Sequence, residues 1–260
     1  MTALVKLLPA VLLIAAADQR IVPGPDLRVH DRTITGVYRL FDDSDGRSSG
    51  SRFERIDAMV RRGGFRFRGD AHDIVIRDVT LRLAAPQHVP RLPAGIEIQG
   101  TAHDILIERT VARDFQMMPE GQKYLNGDGF SSERGAYRIT FRRDEAYDNS
   151  DGGFDLKSKQ TRLDNTISAR NKRNYRLWGT GTAGTIVSKT PRKAHIWLAD
   201  TANWRIAHLV VKSSTPVPIV DSDGRHATLR VDSCDLDVPR GTKLAIGGGS
   251  ISWGKGCVVP

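Results

Sequence analysis

The densest group of carboxylates in this chain is Asp128, in Asn126-Gly127-Asp128-Gly129-Phe130, with Asp148, Asp151 and Asp155, in Asp148-Asn149-Ser150-Asp151-Gly152-Gly153-Phe154-Asp155. Carboxylates brought together without partners repel. A hard cation such as Ca²⁺, which takes about 6–8 oxygen ligands, relieves that repulsion. Asp-Gly turns that only redirect the chain account for Asp128 and Asp151 but not for Asp155. Asp151 and Asp155 also make a pair of the kind that glycoside hydrolysis uses as acid and base, or as acid and nucleophile. Downstream, Asn174-Tyr175-Arg176-Leu177-Trp178 sets a cation and an indole on alternate positions.

Residues so far apart share chemistry only if the fold repeats. Short segments do recur: Gly64-Phe65-Arg66-Phe67-Arg68, Gly95-Ile96-Glu97-Ile98-Gln99, Gly129-Phe130-Ser131-Ser132-Glu133 and Gly153-Phe154-Asp155-Leu156-Lys157. Further copies begin at Asn174, His195, Pro218 and Leu244, and successive copies start 31, 34, 24, 21, 21, 23 and 26 residues apart. Each alternates an apolar residue with an outward one, the period of a strand buried on one face. A second strand family lies between them, with the matching lead-ins Ala71-His72-Asp73 and Ala102-His103-Asp104. Coils this short bury no core alone but bury a continuous one when stacked. The expected fold is therefore all-β, a right-handed parallel β-helix of about eight coils. Residues 18–63 are expected to form an N-terminal cap and first irregular coil, and 18–260 a single domain.

Stacking in register turns equivalent positions into columns. The third position reads Arg66, Glu97, Ser131, Asp155, Arg176, Trp197 and Val220; the fifth reads Arg68, Gln99, Glu133, Lys157, Trp178, Ala199 and Ser222. Aromatic faces stack on sugar rings and cations hold carboxylates, so Arg66, Arg68, Glu97, Trp178 and Trp197 are candidate substrate contacts. Extra residues at 84–94 and at 115–127, the latter with Tyr124, should wall one side of this strip.

The charge is +9, with 39 basic and 30 acidic residues in 260, which suits an acidic polysaccharide partner better than nucleic acid. Lys6, the apolar run at 7–17 and Ala15-Ala16-Ala17 read as a cleavable signal peptide over 1–17. A secreted or periplasmic monomer is expected, without a membrane partner once the leader is cleaved. Setting Thr228–Val231 beside Ile251–Gly254 brings Cys234 level with Cys257, within reach of a disulfide between neighbouring coils.

Asn126–Phe130, followed by Tyr147-Asp148-Asn149-Ser150-Asp151-Gly152-Gly153-Phe154-Asp155-Leu156, resembles the signature of polysaccharide lyase family 9, the calcium-dependent pectate lyases and their relatives. The likeness covers about residues 95–200. It implies a parallel β-helix, Ca²⁺ held by Asp128, Asp151 and Asp155, and β-elimination at a uronic acid. It places Arg176 where the family has a catalytic lysine, and Gly152 where the family has a further aspartate. Arginine stays protonated under ordinary conditions, so Lys157 is the alternative base. Two other readings stay open on the same fold: a glycoside hydrolase, and a glycan-binding or envelope protein without catalysis.

Overall fold

The computed structural model describes residues 20–88, 90, 92–121 and 124–260, and the expected signal peptide lies outside the described residues. Within them the chain is all-β, a parallel β-solenoid of about nine turns with three strand-bearing faces. The first face carries residues 39–43 and 63–67, then Ala94–Ile98, Asp128–Ser132, Gly152–Leu156, Arg173–Leu177, Ala194–Leu198, Val220–Ser222 and Ala245–Gly247. The second face runs through Val75, Leu106, Thr140 and Arg162, and the third through Thr80, Val111, Glu145 and Ile167. Residues 28–67, which include most of the segment expected as cap and first coil (18–63), are largely strand. They form two long strands, Arg28–Asp43 and Arg52–Phe67, that bend round the corners and add a regular turn to the eight read from the repeats.

Alternation explains the core. On the first face Phe65, Phe67, Ile96, Ile98, Phe130, Phe154, Leu156, Tyr175, Leu177, Ile196 and Leu198 are fully buried. Phe130, Phe154 and Tyr175 stack rung on rung at centroid spacings of 4.8 and 5.2 Å, directly behind the outward residues of the acidic segment. The glycine that opens successive strands is a packing requirement: a Cβ at Gly95 would lie 2.4 Å from the Gly129 carbonyl oxygen.

Corners are built by residues in the left-handed region. Asp31, Arg55, Asp78, Arg109, Arg143 and Asn165 occupy it in register on successive turns. Aspartate and asparagine tolerate that conformation; arginine is less usual there. Ion pairs run along this corner, with Arg55 Nε 2.6 Å from Asp31 and Arg109 Nε 2.6 Å from Asp78. A buried amide ladder holds another corner, the one leading into the first face. Asn149 Nδ2 donates to Asn171 Oδ1 at 2.9 Å, and Asn171 Nδ2 to Asn174 Oδ1 at 3.1 Å.

Two registers differ by one residue from the alignment of the repeats. Trp197 pairs with Asp221, so Val220 points into the core and Asp221 continues the outward column. Thr228 pairs with Ser250, not Ile251. Cys234 and Cys257 are nevertheless joined by a disulfide with Cα atoms 4.8 Å apart, because the chain takes up the extra residue at Gly256, whose φ is +76°.

Candidate active site

The outward column of the first face runs in register from Arg66 through Glu97, Ser131, Asp155 and Arg176 to Trp197. A cavity of about 340 Å³ opens over its middle, lined among others by Glu97, Asp128, Asp155, Lys157, Arg176 and Trp178. Leu92, Pro93, Tyr124 and Asn126, from the two long insertions, form its wall. A bridge between Gln87 and Met117 ties those insertions together.

Arg176 is the centre of this groove. Its Nη1 lies 2.7 Å from Asp151 Oδ2 and 3.1 Å from Asp155 Oδ2, and its side chain is 11% exposed. Its Nε–H has no hydrogen-bond partner among the described residues. Asp151 is fully buried. It accepts from Arg173 Nη1 at 3.3 Å and from the Tyr124 hydroxyl as well as from Arg176. Asp155 Oδ1 accepts from the Trp178 indole N–H at 2.6 Å. Asp128 stands level with Gly152 on the neighbouring turn, and its Oδ1 accepts the Gly152 N–H at 2.7 Å.

Electrostatics follow from burial and from these partners. Burial pushes the Asp128 carboxyl well above the usual carboxylate range; Asp155 and Asp151 add to the shift, and Arg176 with the Gly152 N–H opposes it. Burial pulls Arg176 down, but Asp155, Asp151 and Asp128 outweigh it and hold the guanidinium above its ordinary value. Lys157 behaves alike: burial lowers it, while Asp155 and Glu133 raise it further. Its Nζ is 2.7 Å from Glu133 and 3.6 Å from Asp155 Oδ2. Burial also raises the Tyr124 hydroxyl, so it donates instead of ionising.

The groove does not use every residue that the sequence singled out. Arg66 is paired with Asp42 and lies 4.0 Å from Glu97, and Arg68 donates to Gln99 at 3.0 Å; both sit beyond one end of the cavity. Glu97 faces the cavity but is held by Arg39, whose guanidinium lies 3.4 Å away. Trp197 is 5% exposed beneath Arg173, Arg176 and Trp178, so it backs the arginines and offers no open ring to a sugar. Trp178 lines the groove, with Lys157 and Arg176 within 5.7 and 5.3 Å of its ring. Two contributors went unread in the sequence: Arg173, which braces Asp151, and Lys172, stacked 4.1 Å over the Tyr124 ring. Arg173 opens a strand copy one residue before the expected start, and only that offset hinted at it.

Calcium was expected on Asp128, Asp151 and Asp155. Both oxygens of Asp151, both of Asp155 and Oδ1 of Asp128 already accept from N–H or O–H groups of the chain. A donor set so engaged does not fit a cation needing about six or more oxygen ligands. Among the described residues no group of three or more His, Cys, Asp or Glu side chains is arranged to hold a metal ion.

Together, fold and groove define a parallel β-solenoid with a cation-centred carboxylate cluster on one face. No family model matches the chain, and no curated protein matches it. A solved structure, the periplasmic alginate epimerase AlgG, is similar with a TM-score of 0.59 at 11% identity over 89% of this chain. The match spans 61% of the length of that protein. At that identity the likeness is one of fold.

Proposed function

We propose that this chain takes an acidic, uronate-containing polysaccharide along the first-face groove and eliminates across C4 and C5 of one uronate. Arg176 carries the reading. It is a guanidinium fixed by two buried carboxylates on the floor of a groove. The C5 proton of a uronate is weakly acidic because the neighbouring carboxylate resists gaining charge. A preorganised guanidinium beside that carboxylate stabilises the enolate-like state in which the charge develops.

Lys157 is the group assigned to the C5 proton, since its Nζ lies 3.6 Å from the Asp155 oxygen that Arg176 also holds. Its ammonium proton is lost to solvent first, because Glu133, 2.7 Å away, holds the charged form. The C5–H electron pair then becomes the C4–C5 double bond, and the C4–O bond breaks with its electrons leaving on the glycosidic oxygen. That oxygen takes up the proton. Trp178 and Tyr124 flank the sugar.

The likeness in fold to an alginate epimerase supports an acidic glycan and an extracytoplasmic setting. It also favours a second reading, epimerisation at C5. That reaction shares the proton removal but returns a proton to the opposite face and leaves C4–O intact. Incubation with alginate and polygalacturonate in heavy water separates the two. Ultraviolet absorbance from an unsaturated product marks elimination, and deuterium at C5 in uncut chains marks epimerisation. Neither signal with either polymer rejects C5 chemistry.

A further inference from the structure

We infer that Arg176 stands in the place of a divalent cation, so that the aspartate cluster is a cation site whose cation is part of the chain. The inference concerns what neutralises the cluster and holds whichever sugar reaction the groove performs.

Three relationships carry it. A single nitrogen, Arg176 Nη1, bridges Asp151 and Asp155 at 2.7 and 3.1 Å, which is the task of a bound ion between two carboxylates. The guanidinium is enclosed, not draped over the acids from solvent, as the 11% exposure of its side chain shows. The third is a matter of space. A Cβ at Gly152 would lie 2.7 Å from Asp128 Oδ1, 3.4 Å from Arg176 Cδ and 3.4 Å from Asp155 Cβ. Position 152 is thus the point on which all three meet: a Cβ there would collide with Asp128 Oδ1 and touch the Arg176 stem and Asp155. Gly152 and Arg176 sit on adjacent turns around the same carboxylates: the bare glycine lets Asp128 Oδ1 close on the Gly152 N–H beside the built-in cation.

Removing the guanidinium reverses the situation. Asp151 keeps only Arg173 and Tyr124, and Asp155 keeps Trp178 and Lys157. A buried carboxylate group short of positive charge is then open to a hard, oxygen-seeking ion. An aspartate at position 152 would add a fourth carboxylate to the cluster.

Thermal melting tests this without substrate, so its outcome is independent of turnover. The wild-type chain, Arg176→Ala and the double variant Gly152→Asp/Arg176→Ala are melted in CaCl₂ and in EDTA. The wild-type Tm is expected to be the same in both. Arg176→Ala is expected to melt lower in EDTA and to recover by about 5 °C or more at a hundredfold excess of calcium over its dissociation constant. The double variant is expected to respond at lower calcium. If Arg176→Ala does not fold, the double variant in calcium gives the answer. A wild-type Tm that calcium raises or EDTA lowers overturns the inference, as do variants that ignore calcium.

Discussion

Asp155 and Arg176 are 21 residues apart in sequence but occupy paired positions on neighbouring turns, with Nη1 of the arginine 3.1 Å from Oδ2 of the aspartate. The pair is the hinge between the acidic segment and the basic strand that follows it.

Arg176→Ala should lower kcat by about 10²–10³, the usual loss when one preorganised donor to a developing anion is removed. Arg176→Lys should recover part of that loss, since it keeps the charge without the fork. Rates on a polyuronate, with circular dichroism to confirm the β-solenoid, check this. An alanine variant that is folded and fully active would remove Arg176 from the chemistry.

Lys157 is held above its ordinary pKa mainly by Asp155 and Glu133, against burial. A neutral amine therefore forms only as pH climbs past the usual lysine value, and turnover should rise with pH through the alkaline range. Glu133→Gln removes one of the groups that raise the pKa and should move the rise to lower pH. A profile that peaks on the acid side and is unmoved by Glu133→Gln would exclude the lysine as base.

Asp128 is pushed above the carboxylate range by burial, with Asp155 and Asp151 adding to it. Its neutral form is thus favoured by folding, and the wild type loses stability as pH rises from the unfolded value of 3.8 through the folded one. Asp128→Asn keeps an oxygen for the Gly152 N–H and has no charge to lose. It should melt above the wild type at neutral pH, and the gap should close below about pH 3.8. Equal melting temperatures at neutral pH would show that Asp128 is charged and compensated.

The Cys234–Cys257 disulfide closes a loop of 23 residues and ties the last turn to the one before it. Chain entropy for a loop of that size gives about 3 kcal/mol, so Cys257→Ser should lower Tm and speed amide exchange first in Ser250–Lys255. Uniform exchange along the solenoid would mean that the last turn is held by its strand pairing alone.

The fold was legible because its causes are local and repeated. Alternation within Gly95-Ile96-Glu97-Ile98 and its copies sets which side chains point inward, and stacking then lines up Glu97, Ser131, Asp155 and Arg176 without further information. The same logic faltered where the repeat blurs. In Pro218–Ser222, Val220 and Asp221 exchange faces when the register slips by one, and before Gly64 the repeats give way to two long bent strands.

Sequence by itself determined that this chain is a stack of coils and that acids, bases and indoles share one outward strip, because strand periodicity and turn length are properties of neighbouring residues. Only the tertiary structure decided which carboxylate meets which donor. Trp197 lies beneath the arginines, Asp151 is closed off by Arg173, Arg176 and Tyr124, and Gly152 leaves the place that Asp128 Oδ1 takes. Those outcomes depend on side-chain reach and volume between turns more than twenty residues apart, where excluded volume and burial, not periodicity, set the arrangement.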